Sequence, residues 1–346
     1  MAGDGWWLPE RFALKRQHLE TRARSIAAIR RFFAERGFVE VDTPALQVSP
    51  GLEPHLRAFA TALDEPGEGP RPRYLHTSPE FAMKKLLVAG VPRLFQLAHC
   101  FRNGERSRTH HPEFTMLEWY RAEAGYGDLM ADCEALLRAV LAASGRPQFT
   151  WQDTSADPQQ RWSYLSVAKA FEQFCGIDLL ATAPDPQAPS LDLLAEAARP
   201  LGIAPHAGDS WEDLFFRIFL ERIEPGLGIG APTILYDYPI SMAALARAKP
   251  GDARLAERFE LYVCGLELAN AFGELTDAEA QRRRFLAEQG TRRARYGEAY
   301  PIDEDFLAAL AHGMPESAGI ALGLDRLVML ASGADTIDDV LWAPVA

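Results

Sequence analysis

One short stretch, residues 101–120, constrains this chain more than any other. It reads FRNGERSRTHHPEFTMLEWY, a pattern that predicts a strand, a polar loop and a returning strand with alternating apolar residues. So many arginines, histidines and glutamates are unusual for a hairpin that merely fills a core. A fixed guanidinium suits bidentate contact with phosphate or carboxylate, and carboxylates beside a tyrosine hydroxyl suit an ammonium. The stretch therefore predicts a site where a phosphate-bearing ligand meets an amine-bearing one.

Composition limits what the rest of the surface can do. The chain has 346 residues, of which 48% are hydrophobic and 24% charged, as in globular proteins. Its net charge of −12 disfavours binding of a polyanion by the surface at large. A basic segment, Arg282–Arg295, stands out from this background. It is either a solvated helix face or a docking surface for an acidic partner.

The cysteines and the apolar runs predict a cytoplasmic protein. The four cysteines are widely spaced without a C-x-x-C pair, which favours free thiols in a reducing compartment over zinc ligands or disulfides. The N-terminal segment lacks the apolar core of a signal peptide. No apolar run reaches the roughly 18 residues that a membrane span needs, so we expect no membrane association.

The order of predicted elements favours an α+β fold with a mainly antiparallel sheet flanked by helices. Apolar spacing predicts a helix from Phe12 to Arg36 that stops at Gly37. We expect strands over Arg93–Phe101 and within Phe259–Ala271. We further expect a loop over 146–160, a helix over Ser163–Phe174 and a helix capped by Asp128.

Five segments together resemble the signature motifs of class II aminoacyl-tRNA synthetases of the lysyl subtype. They are residues 101–120, Gly319–Leu327, Thr77–Lys84, Phe259–Asp277 and, more weakly, Phe38–Pro44. Their order and spacing span nearly the whole chain. The resemblance implies one catalytic domain over residues 1–346, formation of an aminoacyl-adenylate from ATP, a requirement for Mg²⁺, and a homodimer built around the first motif.

The resemblance also implies roles for individual residues at the nucleotide. Arg102 would bridge the α-phosphate and the substrate carboxylate, and Arg326 would bind the γ-phosphate. Phe114 matches an adenine-stacking ring, although its alternation also fits a core position. The further ATP contacts that the resemblance implies are Asn103, Gly104, Glu105, His110, His111, Glu267, Leu268 and Gly323. For the two histidines, a solvated position in the loop is an equal alternative.

Carboxylates provide the other half of the implied site. Glu260 and Glu267 match ligands of magnesium, a cation that prefers oxygen. The implied amino-acid pocket comprises Ser78, Pro79, Glu80, Glu118, Tyr120, Asn270, Glu274 and Ala321. Glu80 would face the amine near the reacting carboxylate, and Glu274 with the Tyr120 hydroxyl would face a distal ammonium. Two separate carboxylates favour a lysine-like substrate.

Two departures narrow the resemblance. The motif-one helix begins near residue 12, which leaves no room for the N-terminal anticodon-binding OB-fold of lysyl-tRNA synthetases, and makes tRNA an unexpected partner. Ala321 stands where those enzymes have glycine, and an extra methyl there suits a positional isomer such as (R)-β-lysine. Both departures resemble the short lysyl paralogues that modify elongation factor P, so the resemblance implies that factor as the acceptor of lysine or (R)-β-lysine.

Two other functions stay open at this point. A truncated lysyl-tRNA synthetase would charge tRNA or a small acceptor. A catalytically silent regulatory paralogue would lack motif arginines or metal carboxylates, and the presence of Arg102, Arg326, Glu260 and Glu267 counts against it.

Overall fold

The computed structural model describes residues 5–345. Residues 1–4 and residue 346 lie outside the described residues. The predicted single domain over 1–346 and the predicted absence of a signal peptide extend into these residues. The helices are α1 (Pro9–Ala34), α2 (Glu80–Val88), α3 (Tyr126–Ser144), α4 (Val167–Cys175), α5 (Leu191–Ala198), α6 (Trp211–Ile218), α7 (Ala278–Tyr296), α8 (Glu304–Gly313) and α9 (Leu324–Ser332). The strands are β1 (Val39–Glu40), β2 (Leu46–Gln47), β3 (Ala60–Leu63), β4 (Arg71–Leu75), β5 (Arg93–Phe101), β6 (Glu113–Ala122), β7 (Phe149–Trp151), β8 (Thr154–Ala156), β9 (Ser163–Ser166), β10 (Thr233–Pro239), β11 (Ala248–Lys249), β12 (Asp252–Val263), β13 (Leu266–Gly273) and β14 (Ser317–Gly323).

A nine-stranded sheet organises the molecule. Its order is β1-β5-β6-β14-β13-β12-β10-β9, with β11 added beside β12. The β1–β5 and β9–β10 pairs are parallel, and the other pairs are antiparallel. The predicted α+β class with a mainly antiparallel sheet is therefore confirmed. Two smaller elements, the sheet β2-β4-β3 and the β7-β8 hairpin, flank it.

The largest hydrophobic core lies between the sheet and a layer of helices. Buried side chains of α1, α3 and α9 meet apolar residues of the central strands, as where Phe33 stacks on Phe95 and lies against Trp119. A second core joins α2, α7 and α8, and a third fills the lobe formed by α4–α6 around Phe171 and Phe215. These layers hold the central strands rigidly, which matters because those strands carry the candidate site.

Helix α1 shows how the sequence sets a local structure. Pro9 occupies its first turn, where a missing N–H costs nothing. Its buried residues Arg22, Ser25, Ile29 and Phe33 recur at helical spacing. Gly37, with a φ of +73°, then turns the chain into β1, as the sequence predicts.

Three local predictions were wrong. The expected loop over 146–160 contains the β7-β8 hairpin, because strands of only three residues carry little periodic signal. The expected helix over Ser163–Phe174 begins only at Val167, after the parallel strand β9. Asp128 is not the N-cap of α3, because Gly125 occupies that position. Asp128 lies in the first turn, and its carboxylate accepts a hydrogen bond from the backbone N–H of Gly125.

Two predictions about thiols and membranes can be compared directly with the fold. All four cysteines are free, and three of them are buried. Across residues 5–345, none of the helices has both the length and the apolar character required to cross a bilayer.

Candidate active site

A cavity of about 390 Å³ opens above the central strands β6, β13 and β14. Most of the predicted site residues line it, although they come from distant parts of the chain. Those that line it are Ser78, Glu80, Arg102, Glu105, His110, His111, Phe114, Glu267, Leu268, Asn270, Ala321, Gly323 and Arg326. The structure therefore brings the implied nucleotide and amino-acid residues together in one place.

The remaining predicted residues do not line this cavity. They are Pro79, Asn103, Gly104, Glu118, Tyr120, Glu260 and Glu274. Glu118, Tyr120 and Glu274 are buried next to it. Strand register places another set of predicted residues in one row. Glu118, Ala321, Asn270 and Glu260 face one another across four neighbouring strands. Residues paired in this way point to the same side of a sheet, so the row forms one strip that is polar except for Ala321.

Arg102 lies at the mouth of the loop that follows β5. Its backbone N–H donates to the carbonyl of Pro112, which closes the loop at its base. Its guanidinium carbon is 5.1 Å from the ring centroid of Phe114. The Nε atom of Arg102 is buried without a hydrogen-bond partner among the described residues. A buried, unpaired guanidinium donor is costly, so Arg102 is prepared for an anion.

Arg326 forms the second cationic point of the cavity, in the first turn of α9. It donates to the carbonyls of Glu267 at 2.7 Å and Thr109 at 3.2 Å, and its Nη2 lies 2.6 Å from His110 Nε2. Burial, with help from Arg326 and Arg102, lowers the pKa of His110 to about 4. The imidazole is therefore neutral near pH 7, and its Nε2 accepts a hydrogen bond from Arg326 Nη2. His110 thus orients an arginine rather than standing free in solvent.

A buried network that the sequence did not reveal fixes the position next to Arg326. Asp325 accepts hydrogen bonds from Arg22 of α1 and from the backbone N–H of Thr115. Arg22 also donates to the Thr115 hydroxyl at 2.8 Å. This network ties α1, β6 and α9 together at the edge of the cavity. Arg22 lies far from every motif in sequence, and its only signal was a charged residue on the apolar face of a helix.

His111 has a structural partner as well as a place in the cavity wall. Its Nε2 accepts from the N–H of Val345 at 3.1 Å, and its Nδ1 lies against the carbonyl of Glu113. The side chain is buried. The alternative of a solvated histidine is therefore wrong for His111, which fastens the end of the described chain over the loop.

Lys84 stands among the carboxylates of the implied amino-acid pocket. Its Nζ contacts Glu80 and lies 2.5 Å from Glu274 Oε2. Burial disfavours its charge, but Glu274 and Glu80 outweigh that effect and raise the pKa of Lys84. For Glu274, burial is the larger effect: it raises the pKa of this carboxyl to about 7, although Lys84 acts in the opposite direction. The sequence places Lys84 in a motif but gave it no role.

Glu118 is held by hydroxyls instead of by a cation. Ser78 Oγ donates to Glu118 Oε1 at 2.5 Å, and Tyr120 donates to Oε2 at 3.0 Å. The hydroxyl of Tyr120 therefore serves Glu118, where the sequence had paired it with Glu274. Burial raises the pKa of Glu118 to about 8, in spite of these hydrogen bonds. A fully buried carboxylate without a cation would gain from a ligand that brings one.

Gly319 makes this packing possible. A β-carbon at this position would stand 2.2 Å from Tyr120 Cε1 and 2.4 Å from Glu274 Oε1. Any larger residue would displace the tyrosine or the carboxylate, so the glycine of the third motif preserves the ammonium side of the site.

Comparison with known proteins agrees with this geometry. The family of class II tRNA synthetases that comprises the D, K and N types matches residues 8–345. The chain belongs to the class II tRNA synthetase family. Relatives named elongation factor P–(R)-β-lysine ligase include one from Sodalis glossinidius, 43% identical over 326 residues, and one from Pectobacterium carotovorum, 42% identical over 332 residues; each match covers 94% of both chains. A third, from Proteus mirabilis, is 41% identical over 95% of both chains.

The two carboxylates that match metal ligands in this family differ in their surroundings. Glu260 is already engaged, since Arg258 lies 2.6 Å from Oε1 and the hydroxyls of Tyr238 and Tyr262 donate to Oε2. Glu267 receives no side-chain hydrogen bond within the described chain, and burial together with Glu260 raises its pKa to about 7. This local excess of negative charge fits a divalent cation, although residues 5–345 contain no cluster of three or more metal-ligating side chains.

Three arginines of the basic segment contact other parts of this class II chain. Arg292 is buried and donates to the carbonyls of Pro54 and Leu56. Arg284 donates to the carbonyl of Ala246, and Arg295 pairs with Asp213. These arginines fasten α7 to neighbouring loops and to α6. A solvated face is therefore wrong for Arg292 and Arg284, whereas a solvated face or a docking surface stays a prediction for the exposed Arg283 and Arg293.

Proposed function

We propose that this protein is an ATP-dependent ligase that activates (R)-β-lysine as an adenylate and transfers it to a lysine side chain of elongation factor P. One observation carries the proposal. Two arginines that are suited to bind anions, Arg102 and Arg326, line one cavity, and a set of buried carboxylates lies beside it. The names of relatives that match over 94% of their length support the same assignment.

The first half of the reaction joins two anions. A carboxylate oxygen of the amino acid attacks the α-phosphorus of ATP, the bond to the β-phosphate oxygen breaks, and pyrophosphate leaves. Arg102, with its unpaired Nε, would neutralise the charge that both reactants bring to this point. Arg326, held by two carbonyls and by His110, would receive the terminal phosphate. Positioning and charge neutralisation are the main contributions that such a step needs.

The second half makes an amide. The neutral amine of the acceptor lysine attacks the carbonyl carbon of the adenylate, AMP leaves with the bonding electrons, and the amine loses a proton to solvent. This step needs no guanidinium beyond those already at the phosphate. We therefore expect the acceptor to enter from the open side of the cavity, above the loop that carries Glu105.

The buried carboxylates support a diamino acid as the substrate. Glu118 and Glu274 are essentially inaccessible to solvent, and burial raises the pKa of both. An ammonium is the ligand that would keep them ionised with the smallest cost. An aspartate-like substrate would instead place a third negative charge beside them.

Ala321 supports the β isomer. It faces Glu118 on one side and Asn270 on the other in the strand register, and it lines the cavity. Its methyl group would shift the carbon chain of a bound amino acid away from β14. A substrate whose amine lies one carbon farther from the carboxylate would accommodate that shift.

Magnesium ions would supply charge neutralisation at the phosphates of bound ATP. Glu267 and Glu260 would hold such an ion together with phosphate oxygens, since magnesium is commonly bound through one or two carboxylates plus substrate phosphates. Glu267 has a carboxylate without hydrogen bonds in the described structure, which suits this role. Replacing Glu267 with Gln should raise the magnesium concentration required for half-maximal activity.

We also propose that the protein is a homodimer that works in the cytoplasm, where ATP and translation factors are found. The first-motif segment and the residues just after it expose apolar side chains: Val39 is 53% exposed, Val48 is 46% exposed and Leu46 is 39% exposed. Exposed apolar residues clustered on one segment favour an interface. Sedimentation of Val39→Asp should show monomers if this segment forms the dimer; an unchanged sedimentation coefficient would contradict that assignment.

Intact-mass analysis of elongation factor P tests the overall proposal. After incubation with this protein, ATP and (R)-β-lysine, the factor should gain the mass of one lysyl residue. The gain should disappear when the acceptor lysine is replaced by arginine. Charging of tRNA with an unchanged factor mass would overturn the proposal in favour of a truncated tRNA synthetase.

A further inference from the structure

A glutamate outside all of the motifs also reaches the cavity. Glu53 follows Gly51 in the loop between β2 and β3, and it lines the same cavity as Ser78, Glu80 and Arg102. Gly51 adopts a φ of +117°, and a β-carbon on it would stand 2.7 Å from Glu53 Oε2 and 3.0 Å from Thr77 Oγ1. The Glu53 side chain therefore folds back over Gly51 toward the amino-acid end of the site.

Among residues 5–345, Glu53 differs from the neighbouring carboxylates because no other side chain pairs with it, and the hydrogen bond that it accepts comes from its own backbone N–H. Lys84 contacts Glu80 and Glu274, and hydroxyls serve Glu118. Glu53 Oε2 is shielded from solvent and makes no hydrogen bond, and no ion pair to Glu53 is found among residues 5–345. A small cavity of about 10 Å³ beside it is also lined by Ser49, whose hydroxyl is likewise unpaired. Burial of a carboxylate oxygen without a cation costs free energy, so binding of a cationic group at Glu53 would be favourable.

The loop that carries Glu53 is held in place. Arg292 of α7 is buried and donates to the carbonyls of Pro54 at 3.0 Å and Leu56 at 2.7 Å. The N–H of Ala58 donates to the hydroxyl of Tyr300 at 2.9 Å. These contacts anchor the backbone on the far side of Glu53. The carboxylate is therefore presented by a fixed segment, as a specificity group should be.

Glu53 lines the same cavity as Arg102, where the substrate carboxylate would bind. Burial and then Glu80 raise the pKa of Glu53, whereas a hydrogen bond from its own backbone N–H, Arg102 and Lys84 lower it. Arg102 is the residue that would meet the substrate carboxylate. Glu53 and Arg102 both line the open cavity, whereas Glu118 and Glu274 do not.

We infer that Glu53 is a specificity-determining residue that, together with Glu80, binds the ammonium nearest to the reacting carboxylate of the diamino acid. This inference rests on the proposed function and deepens it. In α-lysine that ammonium is on the carbon beside the carboxylate, and in (R)-β-lysine it is one carbon farther away. A fixed Glu53 would discriminate between the two positions, whereas the distal ammonium, which both isomers share, would not.

A substrate that lacks only this ammonium provides the sharpest test. 6-Aminohexanoate has the carboxylate and the distal ammonium of (R)-β-lysine but no second amine. Glu53→Gln should raise the KM for (R)-β-lysine in ATP–pyrophosphate exchange roughly tenfold to a hundredfold, as expected for loss of a charged hydrogen bond. The inhibition constant of 6-aminohexanoate should stay within about twofold of the wild-type value, because the lost contact is absent from that ligand.

Glu288→Gln is the matched control. Glu288 lies on α7, and burial, Glu212 and Glu53 raise its pKa to about 7, but it does not line the cavity. It removes the same charge near the same loop, so it should leave both constants unchanged. Thermal unfolding of Glu53→Gln without ligand should occur at the same or a higher temperature, because an unpaired buried charge is removed.

Three results would overturn the inference. Equal losses for (R)-β-lysine and 6-aminohexanoate would make Glu53 a structural residue only, and so would a large fall in the unfolding temperature. An unchanged KM in Glu53→Gln would show that the ammonium binds elsewhere. Failure of the proposed function looks different, since the wild-type protein itself would then show no exchange with (R)-β-lysine.

Discussion

Lys84 Nζ lies 2.5 Å from Glu274 Oε2, and each side chain is only 1% exposed. An ion pair so deeply buried, with Glu80 as a second partner of the lysine, sets the charge of the amino-acid pocket before any substrate arrives. It leaves the pocket with a negative excess that is smaller than its carboxylates alone would create. A substrate with two ammonium groups therefore enters a pocket that already has a negative charge.

Replacing Lys84 with Met should destabilise the protein strongly. The substitution leaves Glu274 buried without its cation, and breaking a buried pair from one side typically costs about 3–5 kcal/mol. Chemical denaturation should show a loss of that order in the free energy of unfolding. Lys85→Met is the control, because Lys85 pairs with Asp303 and Asp305 near the surface and should cost less than about 1 kcal/mol. Similar losses in the two variants would contradict this account of Lys84.

Arg326→Lys should weaken the use of ATP and leave the amino-acid site intact. A lysine cannot reproduce the fork that contacts the carbonyls of Glu267 and Thr109 together with His110. The KM for ATP in pyrophosphate exchange should rise about tenfold or more, with the KM for the amino acid nearly unchanged. Arg106→Lys, which removes only a contact with Val345 outside the cavity, should behave as wild type. A rise in both KM values for Arg326→Lys would argue against a nucleotide-specific role.

Gly319→Ala should damage the ammonium side of the site. The new methyl group would occupy space held by the ring of Tyr120 and by Glu274 Oε1. We expect the KM for the diamino acid to rise at least about tenfold and the unfolding temperature to fall, since overpacking typically costs about 1–3 kcal/mol. Gly290→Ala provides the comparison, because a β-carbon there meets nothing within 4 Å on α7. That variant should be as stable as wild type or slightly more stable; unchanged kinetics in Gly319→Ala would refute the packing argument.

The pH dependence of stability should report the burial of Glu118. Its pKa is raised to about 8 in the folded protein, so the folded state holds the proton more tightly than the unfolded chain does. Stability therefore decreases as the pH rises from roughly 5 to 8, where only the unfolded chain ionises freely. Over this interval, the unfolding temperature of the wild type should fall relative to that of Glu118→Gln. Parallel curves for the two proteins would contradict a raised pKa.

Sequence reasoning found the site residues that act through their own chemistry. Arg102, Phe114 and Arg326 lie in compact motifs whose residue types already suggest phosphate and ring contacts, and all three line the cavity. The antiparallel sheet was predictable because alternating apolar residues mark its central strands, as in β6. The assignment of these residues to individual steps remains a prediction.

Contacts between distant segments were beyond sequence reasoning. Neither Lys84 with Glu274 nor Arg22 with Asp325 has a local signal, because each pair forms only after strands and helices have assembled. The same applies to Arg292, which looked like part of a basic surface but is buried under a loop. The β7-β8 hairpin was missed for a different reason, since strands of three residues are too short to show periodicity.

The most direct test of the central claim is ATP–pyrophosphate exchange by the purified protein, with (R)-β-lysine and α-lysine compared at equal concentrations. We expect exchange that needs no tRNA and is faster with the β isomer, because Ala321 and the buried carboxylates favour a displaced amine. Arg102→Ala should abolish this exchange while leaving the fold intact. Exchange with α-lysine alone, or exchange only when tRNA is added, would contradict the account.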